Sequence, residues 1–472
     1  MTGRAEAREH RAVVVGGGLA GITAALRLAE AGRRVTLLEA RPRLGGLAFS
    51  FQRGELAVDN GQHVFLRCCT AYRGLVERLG AGGEVEIQPR LDVPVLSVHG
   101  ARRRLGRLRR AALPVPLHLA ASLATYPHLT ALDRLRVVRG ALALQRLELT
   151  DPALDGRSFG SWLRAHGQNA RTIAALWDLV GVATLNARAD QVSLALAAMV
   201  FKTGLLSDPG ASDIGIAGVP LGTVHHDAAL RALAAADVEV RLRSKVVELK
   251  SVPTEQGPQH ALRLEGGELL TADTVVLAGA QDAAAALLPA DALDERHRPA
   301  ELGYAPILNV HVVYDRTVLR RPFFAALDSP VQWVFDRTAH SGLARSRPGA
   351  QYLALSQSAV QDEIDLPVAA LRERYLPELA RLLPAAAGAE VLDFFVTRER
   401  TATFDPAPGT AALRPPAATR VPGLLLAGSW TATGWPATME SAVRSGHAAA
   451  DAALAAAGAR VPVDRGDGRW PR

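Results

Sequence analysis

The chain is short of cysteine, lysine, methionine and aromatic side chains, and each shortage removes a class of protein. Its two cysteines are the adjacent pair Cys68 and Cys69. They are too few for a disulfide framework and lack zinc-ligand spacing. They read as small apolar residues, with a redox pair as the alternative. A reducing cytoplasm is the expected compartment. No signal peptide is expected, because the apolar run after Arg11 is short and dissolves into glycines. Lysine is scarce beside arginine, and the arginines are spread along all 472 residues. The net charge of +7 therefore reads as compositional bias, and no nucleic-acid partner is expected.

Charge is also missing locally. Ala111 to Leu132 contains no Asp, Glu, Lys or Arg, long enough to suggest a membrane span. Pro114, Pro116 and Pro127 break it. Just before it runs "RRRLGRLRR", Arg102 to Arg110. A basic run followed by an apolar, proline-broken run fits two readings. One is a segment resting on an anionic membrane surface, over residues 102–132. The other is a solvated loop leading into a core helix.

What is present begins at Ala12. "AVVVGGGLAGITAALRLAEAGRRVTLLEA" reads as strand, glycine turn, helix and second strand. Gly16, Gly18 and Gly21 form G-x-G-x-x-G. The first glycine permits a tight turn, the second lets a pyrophosphate approach the backbone, and the third lets helix and strand pack closely. Leu19 and Ala20 open the helix, whose N-terminal dipole favours phosphate. Glu39 ends the second strand about twenty residues on, where an acid accepts hydrogen bonds from a ribose. Ala40 follows it.

Glu39 is soon followed by a second glycine pair, Gly45 and Gly46, which nicotinamide dehydrogenases generally lack. This resembles the extended FAD motif E-x-x-x-x-x-G-G-R of the amine-oxidase and carotenoid-desaturase superfamily. Leu47 stands where the motif has arginine, and Arg41 or Arg43 is the candidate replacement. The resemblance implies FAD as cofactor. It also implies that the chain's end completes the flavin site. "VPGLLLAGS" reads as a buried strand running into Gly428 and Ser429. "GWPATMESAVRSG" reads as a helix starting near Pro436, with Ala437, Thr438 and Met439 at its N-terminus facing the flavin. Many relatives have aspartate at the Ser429 position. No cysteine lies near this segment, so non-covalent FAD is expected.

"DNGQHVFLRCCTAYRGLVERLG" and "GWPATMESAVRSG", with the central Ala189–Phe201 and Gly215–Leu242 regions, resemble the squalene-associated FAD-dependent desaturases. Characterised members of that family are hydroxysqualene dehydroxylases. The resemblance implies an apolar isoprenoid substrate, an apolar tunnel and an electron donor that the sequence does not identify. His63 is the candidate proton donor, oriented by Asp59. The alternative is that Asp59 caps a turn and His63 is structural. His225, His226 and Asp227 are not expected to bind metal, because adjacent histidines diverge on a helix or strand. Two other functions stay open. One is an oxidative carotenoid-type desaturase or an amine oxidase, the latter favoured by Trp430 and Trp435. The other is a non-catalytic prenyl-lipid carrier resembling the Rab escort proteins.

The expected fold class is α/β, with a discontinuous Rossmann-like FAD domain and an inserted mixed α+β substrate domain. FAD-domain pieces are expected at residues 10–95, 220–290 and 420–458, substrate pieces at 96–219 and 291–419, and a tail at 459–472. Val238 to Ser251 reads as strand, turn, strand, and Thr271 to Ala280 as a strand, both joining the first sheet. The resemblance places Val246 against the adenine. "ILNVHVVYD" and "QYLALSQSA" read as strands of the substrate domain.

Overall fold

The protein was studied as a computed structural model describing residues 10–100, 102–254, 257–295 and 297–456. The expected tail, 459–472, and the last residues of the 420–458 piece lie outside the described residues.

A five-stranded parallel sheet forms the first layer. Its spatial order is Glu239–Leu242, Arg34–Glu39, Arg11–Val15, Thr274–Leu277 and Leu424–Leu426. Strands from the start, middle and end of the chain therefore lie side by side, and both the Gly16 and Gly428 turns leave this one sheet. The strands are short apolar runs because the central ones are covered on both faces. The helix Leu19–Glu30 is buried along nearly its whole length. The closing helix Met439–Ala456 packs on it at Gly446, where a Cβ would lie 2.3 Å from the Ala20 carbonyl oxygen.

Val238–Ser251 does contain two strands, but they part company. Glu239–Leu242 joins the parallel sheet, whereas Val246–Thr254 begins a separate antiparallel meander with Gly257–Leu264 and Leu269–Ala272. Thr271–Ala280 is likewise divided between meander and parallel sheet, breaking at Asp273. Val246 is nevertheless held near Glu39, because Ser244 N donates to the Glu39 carbonyl at 2.9 Å.

A seven-stranded mixed sheet forms the second layer. Its order is Val391–Thr403, Ala305–Tyr314, Gln351–Ser358, Trp333–Asp336, Phe323–Leu327, Asp92–His99 and Arg102–Arg109. The "ILNVHVVYD" and "QYLALSQSA" strands pair antiparallel here, Ile307 opposite Ser358. Asp92–His99 belongs to this sheet, so a division after residue 95 would cut a strand. The "RRRLGRLRR" run is its edge strand, where alternating charge suits an exposed edge. Its arginines are partly neutralised. Arg107 pairs with Asp92, and Arg110 Nε lies 2.6 Å from the fully buried Asp213. The apolar stretch that follows makes only a short turn and the helix Ala120–Ala124. No helix among the described residues is long and apolar enough to cross a membrane. Helices between Ala131 and Leu205 complete the inserted part.

Candidate active site

The glycine turn has the geometry its sequence demands. Gly16 adopts φ +114°, and a Cβ there would lie 2.7 Å from the Ala278 carbonyl oxygen. A Cβ on Gly21 would lie 1.9 Å from the Gly16 carbonyl oxygen, so helix and turn touch backbone to backbone. The helix starts at Gly18 with no side-chain cap and no carboxylate in its first turn. Its first N–H groups and positive dipole end are thus left for an anion. Glu39 accepts from Gly17 N at 2.6 Å and from Arg41 N at 2.7 Å. A carboxylate has lone pairs to spare for a ribose after these two bonds.

The second glycine pair closes over the first. Gly45 N donates to the Gly17 carbonyl at 2.9 Å. A Cβ on Gly46 would lie 2.9 Å from Gly18 Cα. The two loops therefore form a cleft that exists only because neither carries a side chain, and a pyrophosphate fits such a cradle. Leu47, in the arginine's place, is exposed. Arg43 lies at this loop instead. Its Nη1 donates to the Gly46 carbonyl at 3.0 Å, and its guanidinium stacks over Phe49 at 3.3 Å. Burial pushes its pKa down, partly offset by Glu39.

Sequence reasoning missed what holds this loop. His226 Nδ1 accepts from Leu44 N at 3.1 Å. His225 lies 3.0 Å from the Ala48 carbonyl through Nδ1 and 2.9 Å from the Tyr72 hydroxyl through Nε2. The two histidines grip opposite ends of the Leu44–Ala48 loop. Diverging side chains exclude a shared metal and suit this clamp. Among the described residues, no group of three or more His, Cys, Asp or Glu side chains gathers as a metal set.

The end of the chain arrives beside the cradle. Gly428 has φ +148°, and its N–H donates to Ser445 Oγ at 2.8 Å. The helix begins at Met439, three residues after Pro436, because Thr438 supplies the cap: its Oγ1 accepts from Ser441 N at 3.2 Å. Glu440 faces away, accepting from Ala71 N and Tyr72 N at 3.2 and 2.7 Å. Arg414 fixes the intervening loop, a second feature without a sequence signature. Its buried guanidinium donates to the carbonyls of Ser429, Trp430 and Thr431. Burial lowers its pKa to about 10. With three carbonyls turned toward Arg414, this loop is held without contacts to a carboxylate. Trp430 is core, its Nε1 donating to the Gly279 carbonyl at 3.1 Å. Trp435 lies under Arg444 at 4.7 Å. Neither forms a wall of the cavity described below.

The segment between Asp59 and His63 departs from expectation. Asp59 does not orient His63. Its Oδ1 accepts from Ser50 Oγ at 2.6 Å and Leu221 N at 2.9 Å, and its Oδ2 from Arg337 Nη2 at 2.9 Å. The Asp59–Arg337 pair is buried and ties three distant stretches together. The partner of His63 is Asn60, with Nε2 and Oδ1 3.3 Å apart. His63 is half-buried by surface area but so densely surrounded that desolvation lowers its pKa to about 4. Its imidazole is neutral at pH 7, which removes the ready proton expected of a general acid. Asn60 Nδ2 also donates to Leu47 O at 2.8 Å and to Glu399 Oε1 at 2.9 Å. Desolvation raises the Glu399 pKa. Glu399 comes from the long edge strand of the second sheet, far in sequence from any motif.

Beside this segment lies a cavity of about 310 Å³. Its walls include Leu66, Val93, Trp177, Leu179, Phe201 and Phe335. None of its lining residues is Asp, Glu, Lys or Arg. Gln62 lines it directly.

Glycine loops and cavity are linked through the Asn60–Gln62 segment. The profile of flavin containing amine oxidoreductases matches residues 19–454. The chain belongs to this family. It is an FAD-dependent oxidoreductase. Among curated proteins, the hydroxysqualene dehydroxylase of Rhodopseudomonas palustris is 29% identical, covering 94% of this chain and 98% of that protein. The hydroxysqualene dehydroxylase of Zymomonas mobilis is 26% identical, covering 93% and 98%. A tomato (Solanum lycopersicum) 15-cis-phytoene desaturase is also 26% identical, covering 93% of this chain and 77% of the desaturase. Among solved structures, a putrescine oxidase triple mutant superposes with a TM-score of 0.69 at 21% identity, covering 95% and 98%. That likeness shows a shared fold.

Proposed function

We propose that the protein removes the hydroxyl of hydroxysqualene reductively, giving squalene. The observation that carries this reading is the cavity. It has no Asp, Glu, Lys or Arg in its lining and is lined by Gln62 of the Asp59–His63 segment, whose Asn60 bonds the Leu47 carbonyl beside the glycine pair. A long hydrocarbon matches such walls. An ammonium ion would lose its hydration and find no carboxylate there, a large cost that disfavours amine substrates. The full-length relatives named hydroxysqualene dehydroxylase support the same choice over the desaturases.

FAD would lie with its pyrophosphate between Gly16, Gly18, Leu19, Ala20 and Gly21 on one side and Gly45, Gly46 and Arg43 on the other. Glu39 would hold its adenosine ribose, and Val246 would pack on its adenine beyond Ala40. Gly428, Ser429 and the Ala437–Met439 helix start would face the isoalloxazine. Reduced FAD, when bound there, supplies a hydride. The chain's own residues do the rest. The carbon–oxygen bond breaks and the hydroxyl leaves with a proton as water, while the new carbon–hydrogen bond forms at the same carbon. The apolar walls keep bulk water from that carbon. Neutral His63 is held by Asn60 rather than poised as an acid. Glu399, with its raised pKa and its bond to the same Asn60, stands behind the cavity wall, so it would pass a proton to the leaving hydroxyl only through an intervening group.

Exposed apolar side chains surround this cavity. Leu113 and Leu117 precede the helix Ala131–Gln145, which shows Leu132, Leu135, Val138 and Leu142 outward. Leu117, Val138 and Leu142 also line the cavity. A peripheral contact with the membrane surface would let an insoluble alkene enter here without crossing water.

The test is anaerobic. Flavin is reduced, then hydroxysqualene, phytoene or putrescine is added separately, and reoxidation is followed by absorbance. Reoxidation by hydroxysqualene with formation of squalene is expected. Reoxidation by none of the three, or turnover of putrescine by oxidised enzyme, would replace this reading.

A further inference from the structure

Some polar groups in the cavity wall are already engaged. Ser122 Oγ donates to the Arg107 carbonyl at 2.6 Å. Thr184 Oγ1 donates to the Val180 carbonyl at 2.9 Å. Gln145 is exposed at the end of its helix. Gln62 differs. Its Nε2 is buried and has no hydrogen-bond partner among the described residues. A buried amide donor left unpaired costs about 1–3 kcal/mol. Such a group marks a place where something else is to bind.

Its setting says what that is. Gln62 follows Gly61, where a Cβ would lie 3.2 Å from Asn309 Nδ2 and 3.4 Å from His63 Nε2. The backbone that carries Gln62 is therefore closely packed at Gly61. Asn60, two residues earlier, bonds the Leu47 carbonyl beside the glycine pair. This places Gln62 on the part of the wall that adjoins the cofactor cradle. Ser356 and Ser358 of the second sheet also line the cavity, Ser356 opposite Asn309 in register. Ser212 has an unpartnered hydroxyl and the buried lining residue His118 two unpartnered ring nitrogens as well, but both lie on other segments, away from the Asn60 link.

We propose that Gln62 is the specificity-determining residue that recognises the substrate's single hydroxyl, donating from Nε2 to the alcohol oxygen. This rests on the isoprenoid-alcohol reading above. The neutral amide cannot protonate the leaving oxygen. It registers the long chain so that the hydroxyl-bearing carbon stops at the cofactor, and it tells alcohol substrate from hydrocarbon product. After the hydroxyl departs, Gln62 is again unpaired and the hydrocarbon is held less well, which favours product release.

The test uses oxidised holoenzyme, which holds no electrons to turn hydroxysqualene over. Binding of hydroxysqualene and of squalene is followed by tryptophan fluorescence, because Trp177 and Trp333 line the cavity. The wild type is expected to bind the alcohol about ten-fold more tightly than the alkene, the scale of one hydrogen bond to a buried donor. Gln62→Leu is expected to bind both alike. Gln62→Met, close in shape, gives the same answer should the leucine variant fold poorly, and flavin content checks each preparation. Ser212→Ala should keep the preference. An alcohol preference that survives in both Gln62 variants, or none in the wild type, overturns the assignment. A preference that depends on Gln62 in an enzyme whose reduced flavin ignores hydroxysqualene would uphold the alcohol site and defeat the dehydroxylation reading instead.

Discussion

The cradle and the cavity are neighbours built on opposite principles. The cradle is backbone. Its shape comes from missing side chains at Gly16, Gly21, Gly45 and Gly46, where an added Cβ would lie within 3 Å of another backbone atom. The cavity is side chains. Leu66, Val93, Leu179 and Phe201 are supplied by separate segments, and another apolar residue of similar volume would serve at most of them. The difference separates a site shaped by backbone at fixed positions from a site shaped by the apolar character of its walls.

The largest expected effect comes from a single carbon in the cradle. Gly46→Val would press a side chain against Gly18 Cα and force a residue with φ +58° into a β-branched form. The purified variant is expected to be colourless, and added FAD should not restore the flavin spectrum. Leu179→Met in the cavity wall, a volume-conserving change, should cost under about 1.5 kcal/mol and leave FAD in place. Retention of FAD by the Gly46 variant would break the contrast between the two sites.

That contrast also explains what could be read from sequence. Gly16, Gly18, Gly21, Glu39 and the Gly45–Gly46 pair lie at fixed offsets, because backbone geometry permits few solutions. The parallel strands at both ends of the chain were legible for the same reason. Neither sequence reading of Asp59, as orienter of His63 or as turn cap, includes Arg337, which lies 278 positions away, and no local spacing encodes such a pair. Glu399 and Arg414 were invisible for that reason too. His63 was a plausible acid on residue type alone, since its pKa depends on packing from distant elements. The edge strand Arg102–Arg109 was hidden by its charge, which suits an exposed strand as well as a basic loop.

The second effect falls on the seam between the two regions. Asp59→Ala leaves Arg337 buried without its counter-charge and should cost about 3–5 kcal/mol, read as a lowered denaturation midpoint. Asp59→Ala combined with Arg337→Met should recover part of the loss, because no buried charge is then stranded. A catalytic role for Asp59 would instead leave stability unchanged and slow turnover. His63→Ala, which loses an imidazole that is not an imidazolium at pH 7, should keep most of its rate, whereas Glu399→Gln should slow reoxidation of reduced enzyme by hydroxysqualene. The reverse ranking would restore His63 as the acid.

Acid should act on the cradle and the sheets behind it. Burial lowers the pKa of His225 to about 4 and of His311 to about 3. Unfolded histidine titrates near pH 6.5. Between these values the unfolded chain binds more protons than the folded one, so stability rises with pH. It is complete above about pH 6.5 and falls as the solution is acidified toward pH 4. The loss should include FAD, because His225 holds the Ala48 end of the glycine loop. Flavin release on titration from pH 7 to pH 5 checks this. His225→Gln should flatten the dependence relative to wild type, and an unchanged pH profile would exclude the clamp.

The smallest expected effect lies at the cavity's rim, where the balance between charge and apolar surface decides how a membrane is met. An arginine near an anionic surface contributes about 1 kcal/mol. Asp92 and Asp213 already occupy Arg107 and Arg110, so the Arg102–Arg110 run offers less than its composition suggests. Leu135, 67% exposed, and Leu117, 54% exposed, have no such competitors. Burying each in the acyl boundary contributes about 1.5–3 kcal/mol when complete. Leu117→Asp with Leu135→Asp should therefore reduce co-sedimentation with anionic liposomes more than Arg102→Glu with Arg104→Glu does. Neutral liposomes should retain most of the wild-type binding. If charge reversal alone abolishes sedimentation, the edge strand is the docking element and the leucines only frame the entrance. If neither pair changes it, the substrate enters without membrane contact at this face.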